Sequence, residues 1–312
     1  MKKISARHAT LPMLLARIAF LGAILAMSTK LIAQNAALPE NPLFNRKYKP
    51  SETYRYKITM SEYHNGELAL TNVSVCELRV VDSGGVPYDE VHWISKKVIT
   101  PKDTTEQSTK AILVKPYRIS LSGRGRIDLP KIDIAEMTEP IQDFNTFFVG
   151  VSPQIQGIEQ LKKSGDSTTT RDPIIADFSN GTYILKGQDC LAITMKMVST
   201  TRSETVLHTS FAPPKQNKLT YLLPDMNTPV VGDTPNNFQM VAPAGKDLFM
   251  VNYGREYFYI NTTIRKSDGK IFKSDMFNQL NLRIKVNCNN EYKNCQVEIP
   301  FAEQRKLTLE LL

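Results

Sequence analysis

The sequence predicts a mainly β protein: antiparallel strand groups packed as curved sheets or a sandwich, with one or two short helices. Three observations predict it. Apolar and polar residues alternate at period two through most of the chain beyond residue 50, as on sheets with one wet face. Turn signals such as Asn65-Gly66 and Ser267-Asp268-Gly269 separate the alternating runs. The N-terminus has the three-part layout of a secretory signal, which places the fold outside the cytoplasm.

In that signal, Lys2, Lys3 and Arg7 form the basic front, and Ile18 to Met27 form the apolar stretch. The stretch falls short of the roughly 20 residues of a spanning helix, and Arg17 blocks its extension backwards. Cleavage is expected after Gln34, with Ala36 and Ala37 as alternatives, so 1–34 is read as a signal peptide. The Ala33-Gln34 ending resembles signal peptides of certain Gram-negative bacteria. The expected location is therefore periplasmic or extracellular.

The first strand runs through Tyr54, Tyr56, Ile58 and Met60, alternating with Arg55, Lys57, Thr59 and Ser61. Asn65-Gly66 turns it into a return strand through Val73, Val75, Leu78 and Val80, with a bulge expected where the apolar parity changes. Ser83-Gly84-Gly85 leads back to Val91, Trp93 and Val98. Residues 100–110 read as an exposed loop, and strands are expected at Ile112–Leu121 and Ile127–Ile134.

Phe144, Phe147, Phe148 and Val151 then recur at helical spacing, predicting a helical segment near 141–151 whose apolar face packs on the protein's own sheet. A polar, Thr-rich stretch at 162–172 reads as a boundary. Strands follow at 183–185, 191–197, 205–211 and 219–223, and a Pro-rich linker at 224–237. The last third alternates most regularly: Leu280, Leu282, Ile284, Val286 and Cys288 on one face, continued after a turn by Cys295, Val297 and Ile299, then Leu307, Leu309 and Leu311. These groups suggest β-rich units at 35–162, 173–240 and 241–312. The proline-rich breaks and the single Trp93 favour such sheets over an outer-membrane barrel.

Removing 34 of 312 residues leaves 278, enough for a large core. Five of the 39 basic residues lie in the signal, so the remainder carries 34 basic against 31 acidic groups. That balance argues against nucleic acid as a partner. The densest basic patch, Arg124 and Arg126 with Lys115, Arg118 and Lys131, reads as a solvated surface.

Cys288 and Cys295 flank a polar turn-forming string and fall opposite each other if the chain turns at Glu291-Tyr292, which predicts a disulfide. A zinc site there would lack ligands, because no histidine follows His208. Cys76 and Cys190 fit equally a second bridge or two buried thiols.

No catalytic, cofactor or metal motif is recognisable. His64, His92 and His208 lack a second histidine or cysteine at metal-ligand spacing. Gly165-Asp166-Ser167 has the look of a hydrolase nucleophile block, but no apolar strand precedes it. Ser122-Gly123-Arg124-Gly125 lacks the lysine of a phosphate loop. The carboxylate pairs Asp128 and Asp133, and Glu136 and Glu139, are spaced as on any solvated segment.

The expectation is thus an exported, non-enzymatic binding or carrier protein of the bacterial envelope, with an apolar ligand compatible with the pattern and no cofactor. A structural or assembly partner of envelope proteins is the alternative. A hydrolase assembled from distant residues comes third.

Overall fold

The computed structural model describes residues 37–312 apart from 129–132, 154, 156, 171–173, 178–182, 187–192 and 212–237. The expected signal peptide, the strand at 219–223, the linker at 224–237 and Cys190 lie outside the described residues.

The strands are β1 (Thr53–His64), β2 (Glu67–Ser83), β3 (Val86–Ile99), β4 (Thr104–Glu106), β5 (Tyr117–Ile119), β6 (Ser167–Thr170), β7 (Ile174–Asp177) and β8 (Tyr183–Lys186). They continue with β9 (Ile193–Thr200), β10 (Glu204–Phe211), β11 (Phe238–Gly245), β12 (Leu248–Arg265), β13 (Ile271–Cys288) and β14 (Val297–Leu311). Among the described residues two α-helices, α1 (Ser108–Ala111) and α2 (Thr138–Val149), interrupt them. All 14 strands join one curved sheet ordered β4-β3-β2-β1-β14-β13-β12-β10-β9-β6, with β5 on β3 and β11, β8 and β7 branching from β12. The first and last of these strands meet near its centre, where β1 lies antiparallel to β14, Tyr56 facing Leu311 and His64 facing Glu303.

The first hairpin forms as predicted. Asn65 (φ 50°) and Gly66 (φ 91°) take the positive φ that a tight two-residue turn requires. The β12–β13 hairpin turns through Gly269 (φ 70°), where a Cβ would lie 2.0 Å from the Asn45 carbonyl oxygen. Glycine there lets the N-terminal segment pass close to the turn.

The segment 37–50 ties β3 and the turn between β12 and β13 to the chain that follows α2. Asn41 Nδ2 donates to the carbonyls of Ile158 (2.8 Å) and Leu161 (2.7 Å). Buried Arg46 pairs with Glu52 (3.1 Å) and Asp89 (3.3 Å), and Lys270 pairs with Glu52 (2.6 Å). The Tyr48 and Tyr54 rings cover the guanidinium at 4.6 and 5.2 Å, so this charge cluster is both paired and packed.

Helix α2 fills the sheet's inner face. It begins three residues before the predicted start, because Pro140 stands in the first turn, where a missing N–H costs no hydrogen bond. Ile141, Phe144, Phe147 and Phe148 are buried against side chains from strands on both sides of the sheet, from Trp93 on β3 to Met195 on β9. Tyr56 sits edge-on to Phe144 and Phe148 at 6.0 and 5.7 Å, and Trp93 to Phe144 at 5.8 Å. Burial of each such ring contributes about 1.5–3 kcal/mol.

Several expectations need correction. In β2 the inward residues are Leu70, Asn72, Ser74, Cys76 and Leu78, so Val73 and Val75 face outward and the parity holds from Leu70 to Val80. β2 does carry a bulge, but at Ala69, where Leu70 faces Glu62 and Leu68 faces Tyr63; a second lies in β3, where Cys76 faces Trp93 while Val75 faces Ser95. Residues 100–110 contain β4 and α1 rather than a plain loop. Of the strand expected at 112–121 only β5 forms, since Lys115-Pro116 withholds a backbone donor and Ile112 and Leu113 are exposed. Of the one expected at 127–134, the described part offers a single bridge, Ile127 to Ile119. The polar stretch 162–172 includes β6, which pairs with β9.

The Cys288–Cys295 disulfide is present, but not on the predicted face. Between Val251, facing Lys285, and Phe249, facing Cys288, β13 carries one extra residue, with Asn287 at φ 53°. That bulge flips Cys288 onto the opposite side from Ile284, against Val251, Tyr253 and Tyr292, while Ile284 packs with Met250 and Phe301. Val297 and Ile299 do share the Ile284 face, yet both are largely exposed.

Phe144→Ala removes the ring at the centre of the inner core and should destabilise the protein by about 3–5 kcal/mol. The urea midpoint, followed by tyrosine and tryptophan fluorescence, measures it.

Candidate functional site

Strand parity carries polar side chains onto the inner face just beyond the apolar zone under α2. On β1, Met60 is followed on the same side by Glu62 and His64; on β14, Leu307 is preceded by Arg305 and Glu303. Register sets these in rows: Glu62 faces Arg305, which faces Asn278, and His64 faces Glu303. Opposed residues project to one face of a sheet, so the rows form a belt. Glu62, Glu303, Arg305, Asn278 and Glu256 are all buried in it.

Helix α2 closes the belt from above with Glu139 and Asp143. The Arg305 Nη2 donates to both Asp143 oxygens (2.7 and 3.0 Å) and to Glu139 Oε1 (3.2 Å). Asn72 Nδ2 donates to the other Glu139 oxygen at 2.8 Å, and Asn278 Nδ2 to Glu256 at 3.1 Å. His64 Nε2 is hydrogen-bonded to Glu62 Oε1, and its ring leans on Phe301 at 5.4 Å. One ligand atom from each of Glu62, His64 and Glu303 lies within 4.8 Å of the others.

The belt is rich in acids. Burial pushes the Glu303 carboxyl up to about 7, with Glu62 adding and Arg305 opposing. Burial likewise raises Asp143 to about 7; Arg305 opposes this, and Glu139 and Glu62 reinforce it. Burial alone would lower the Arg305 pKa, but Asp143, Glu139, Glu303 and Glu62 hold the guanidinium firmly charged.

Beside the belt, between β2, β3 and the first turn of α2, lies a cavity of about 330 Å³. Leu70, Val98 and Ala135 supply apolar wall, and Asn72, Gln107 and Gln142 supply amides. Asn72 Oδ1 and Gln107 Oε1 are buried acceptors with no hydrogen-bond partner. Burying such groups unpaired is costly, so the cavity suits a molecule that brings donors. Glu136 and Glu139, ordinary in sequence, both line it.

The other sequence candidates are not brought together. His92 Nε2 contacts Glu90 Oε1 (2.9 Å), and His208 Nδ1 contacts Asn261 Oδ1 (2.7 Å) while stacking on Tyr259. Asp166 caps an exposed turn, accepting from the Lys162 and Lys163 amides, which lower its pKa; Ser167 merely opens β6. Gly123 accepts a bond from the Leu38 amide in a turn. In the basic patch, Arg126 pairs with Asp128 and Arg118 with Glu90. Cys76 is a buried free thiol whose pKa burial drives far up. The disulfide lies at the end of β13, tying Cys288, its last residue, to Cys295.

No helix among the described residues is long and apolar enough to cross a membrane. No family model and no curated protein matches the sequence. Among solved structures, one described as lipid-protein interactions in lipovitellin matches with 10% identity and a TM-score of 0.41, over 85% of this chain and 25% of that one. The chain thus spans about a quarter of that neighbour's length. OmpT, an outer membrane protein of Vibrio cholerae, matches at 7% identity and a TM-score of 0.13, over 85% of this chain and 100% of that one. Both likenesses are too slight to carry a functional reading.

Arg305→Met strands the acids around it and should cost about 3–5 kcal/mol. Because one nitrogen makes all three contacts, Arg305→Lys should recover much of that loss; urea titration of both variants compares them. Asp143 is raised in the folded state, so its contribution is full below pH ~4 and lost as pH rises towards 7. Asp143→Asn should therefore flatten the decline in stability between those limits, as read from urea midpoints across the range.

Proposed function

We propose that this is an exported, non-enzymatic binding or carrier protein of the bacterial envelope, holding a small amphiphilic molecule in the cavity between β2, β3 and the start of α2. The observation that carries the reading is the cavity itself: about 330 Å³, walled by Leu70, Val98 and Ala135 and floored by two unpartnered acceptors. Its volume falls at the lower end of the roughly 300–1,000 Å³ of ligand pockets. Apolar walls take the body of such a ligand, and Asn72 Oδ1 and Gln107 Oε1 accept hydrogen bonds from its hydroxyl, amide or amine. The core beneath α2 is filled by its own rings, so the ligand lies beside the helix rather than under it.

Export is supported by the signal-like first 34 residues and by the Cys288–Cys295 bridge, a bond favoured in oxidising compartments. The non-enzymatic reading is supported by His92 and His208, whose partners in the structure are an acid and an amide rather than a serine.

N-phenyl-1-naphthylamine, which joins apolar rings to a single N–H, is a suitable probe. It should bind saturably with one site per chain, and Ala135→Trp, at an exposed position on the cavity wall, should weaken it at least tenfold without lowering the melting temperature. Absence of saturable binding, or equal binding by the variant, would contradict the assignment.

A further inference from the structure

We infer that Glu62, His64 and Glu303 form a site for one divalent transition-metal ion of the class that accepts imidazole and carboxylate together, with Zn²⁺ the best fit. The site is distinct from the cavity and does not depend on a ligand there.

Geometry comes first. Glu62 and His64 are two residues apart on β1 and share its inner face, and Glu303 stands directly across from His64 on β14. The three donor atoms lie within 4.8 Å of one another, and His64 Nε2 already meets Glu62 Oε1. A tetrahedral zinc ion with bonds of about 2.0–2.2 Å sets its ligand atoms roughly 3.3–3.6 Å apart, inside the 4.8 Å within which all three atoms already lie. One nitrogen and two oxygens also leave a fourth position for water. On binding, the metal replaces the proton between His64 and Glu62.

Glu303 supplies the independent observation. Glu303 is 1% exposed and its Oε2 has no hydrogen-bond partner, although one oxygen of this carboxylate lies within 4.8 Å of ligand atoms of His64 and Glu62. A buried carboxylate is normally paired, hydrogen-bonded or bound to metal. Arg305 attracts this carboxylate electrostatically, but its Nη2 hydrogen bonds go to Asp143 and Glu139. Around Arg305 stand four acids, Asp143, Glu139, Glu303 and Glu62, and a divalent ion would offset that excess. His64 is held by Phe301 and remains partly open to solvent, which gives the ion access.

The test is calorimetric titration of the chelator-treated protein with Zn²⁺, paired with X-ray absorption of the loaded protein. One ion per chain is expected, with a nitrogen and oxygen shell free of sulfur. His64→Gln and Glu303→Gln should each weaken binding at least tenfold, whereas His92→Gln and His208→Gln leave it unchanged. Glu62→Gln provides a third ligand variant should either of the first two fail to fold. Absence of one-to-one binding, a sulfur ligand, or equal affinity in the folded Glu62, His64 and Glu303 variants would overturn the assignment.

Discussion

Phe144, Phe147 and Phe148 occupy the space that the curved sheet encloses, and the position of every other functional group follows from that packing. Strands on both sides of the sheet direct apolar side chains to the same interior. One twelve-residue helix covers them. A helix this short is marginal alone in water, so the sheet stabilises α2 as much as α2 covers the sheet. Its C-terminal half packs by aromatic contact, while its N-terminal half is fixed by Asp143 and Glu139 on Arg305.

This division of labour explains the belt. Beyond the reach of the three rings, the inner face changes from Met60 and Leu307 to Glu62, His64, Glu303 and Arg305 without any change in strand parity. A buried belt with more acids than bases adds little stability, and breaking one partner is costly. Retaining it makes physical sense if the excess acid has a use, which is the role assigned to the metal site. The adjoining cavity shares Asn72 and Glu139 with the belt, so a molecule there would lie within one hydrogen bond of Arg305's network.

Much of the architecture was legible in the sequence because it rests on local rules. Asn65-Gly66 specifies its turn by positive φ, the Phe144 to Val151 spacing specifies a helix with one apolar face, and Cys288 and Cys295 bracket a turn short enough to bridge. What failed was the assumption that polar means outward. Val73 and Val75 are the apolar residues of that stretch of β2, yet Asn72 and Ser74 take the inner places because the ladder is continuous with Cys76 and Leu78. The belt escaped notice for the same reason, and because its halves, near residues 62 and 303, are separated by most of the chain. A signal was present: extending the parity of Ile58 and Met60 to Glu62 and His64, and of Leu309 and Leu307 to Arg305 and Glu303, places all four inside. The flip of Cys288 depends on a single bulge at Asn287, a residue type that tolerates the left-handed region but gives no warning that it will adopt it.

The central claim is that α2 is an integral part of the sheet's interior, fixed at both ends, and that the belt and the cavity owe their shape to it. Native-state hydrogen exchange of the 141–149 amides measures this directly. Protection comparable to that of the central strands β1 and β14, released only with global unfolding, is expected. Exchange of the helix amides on a much faster timescale than those strands would show that the helix opens independently and would contradict it.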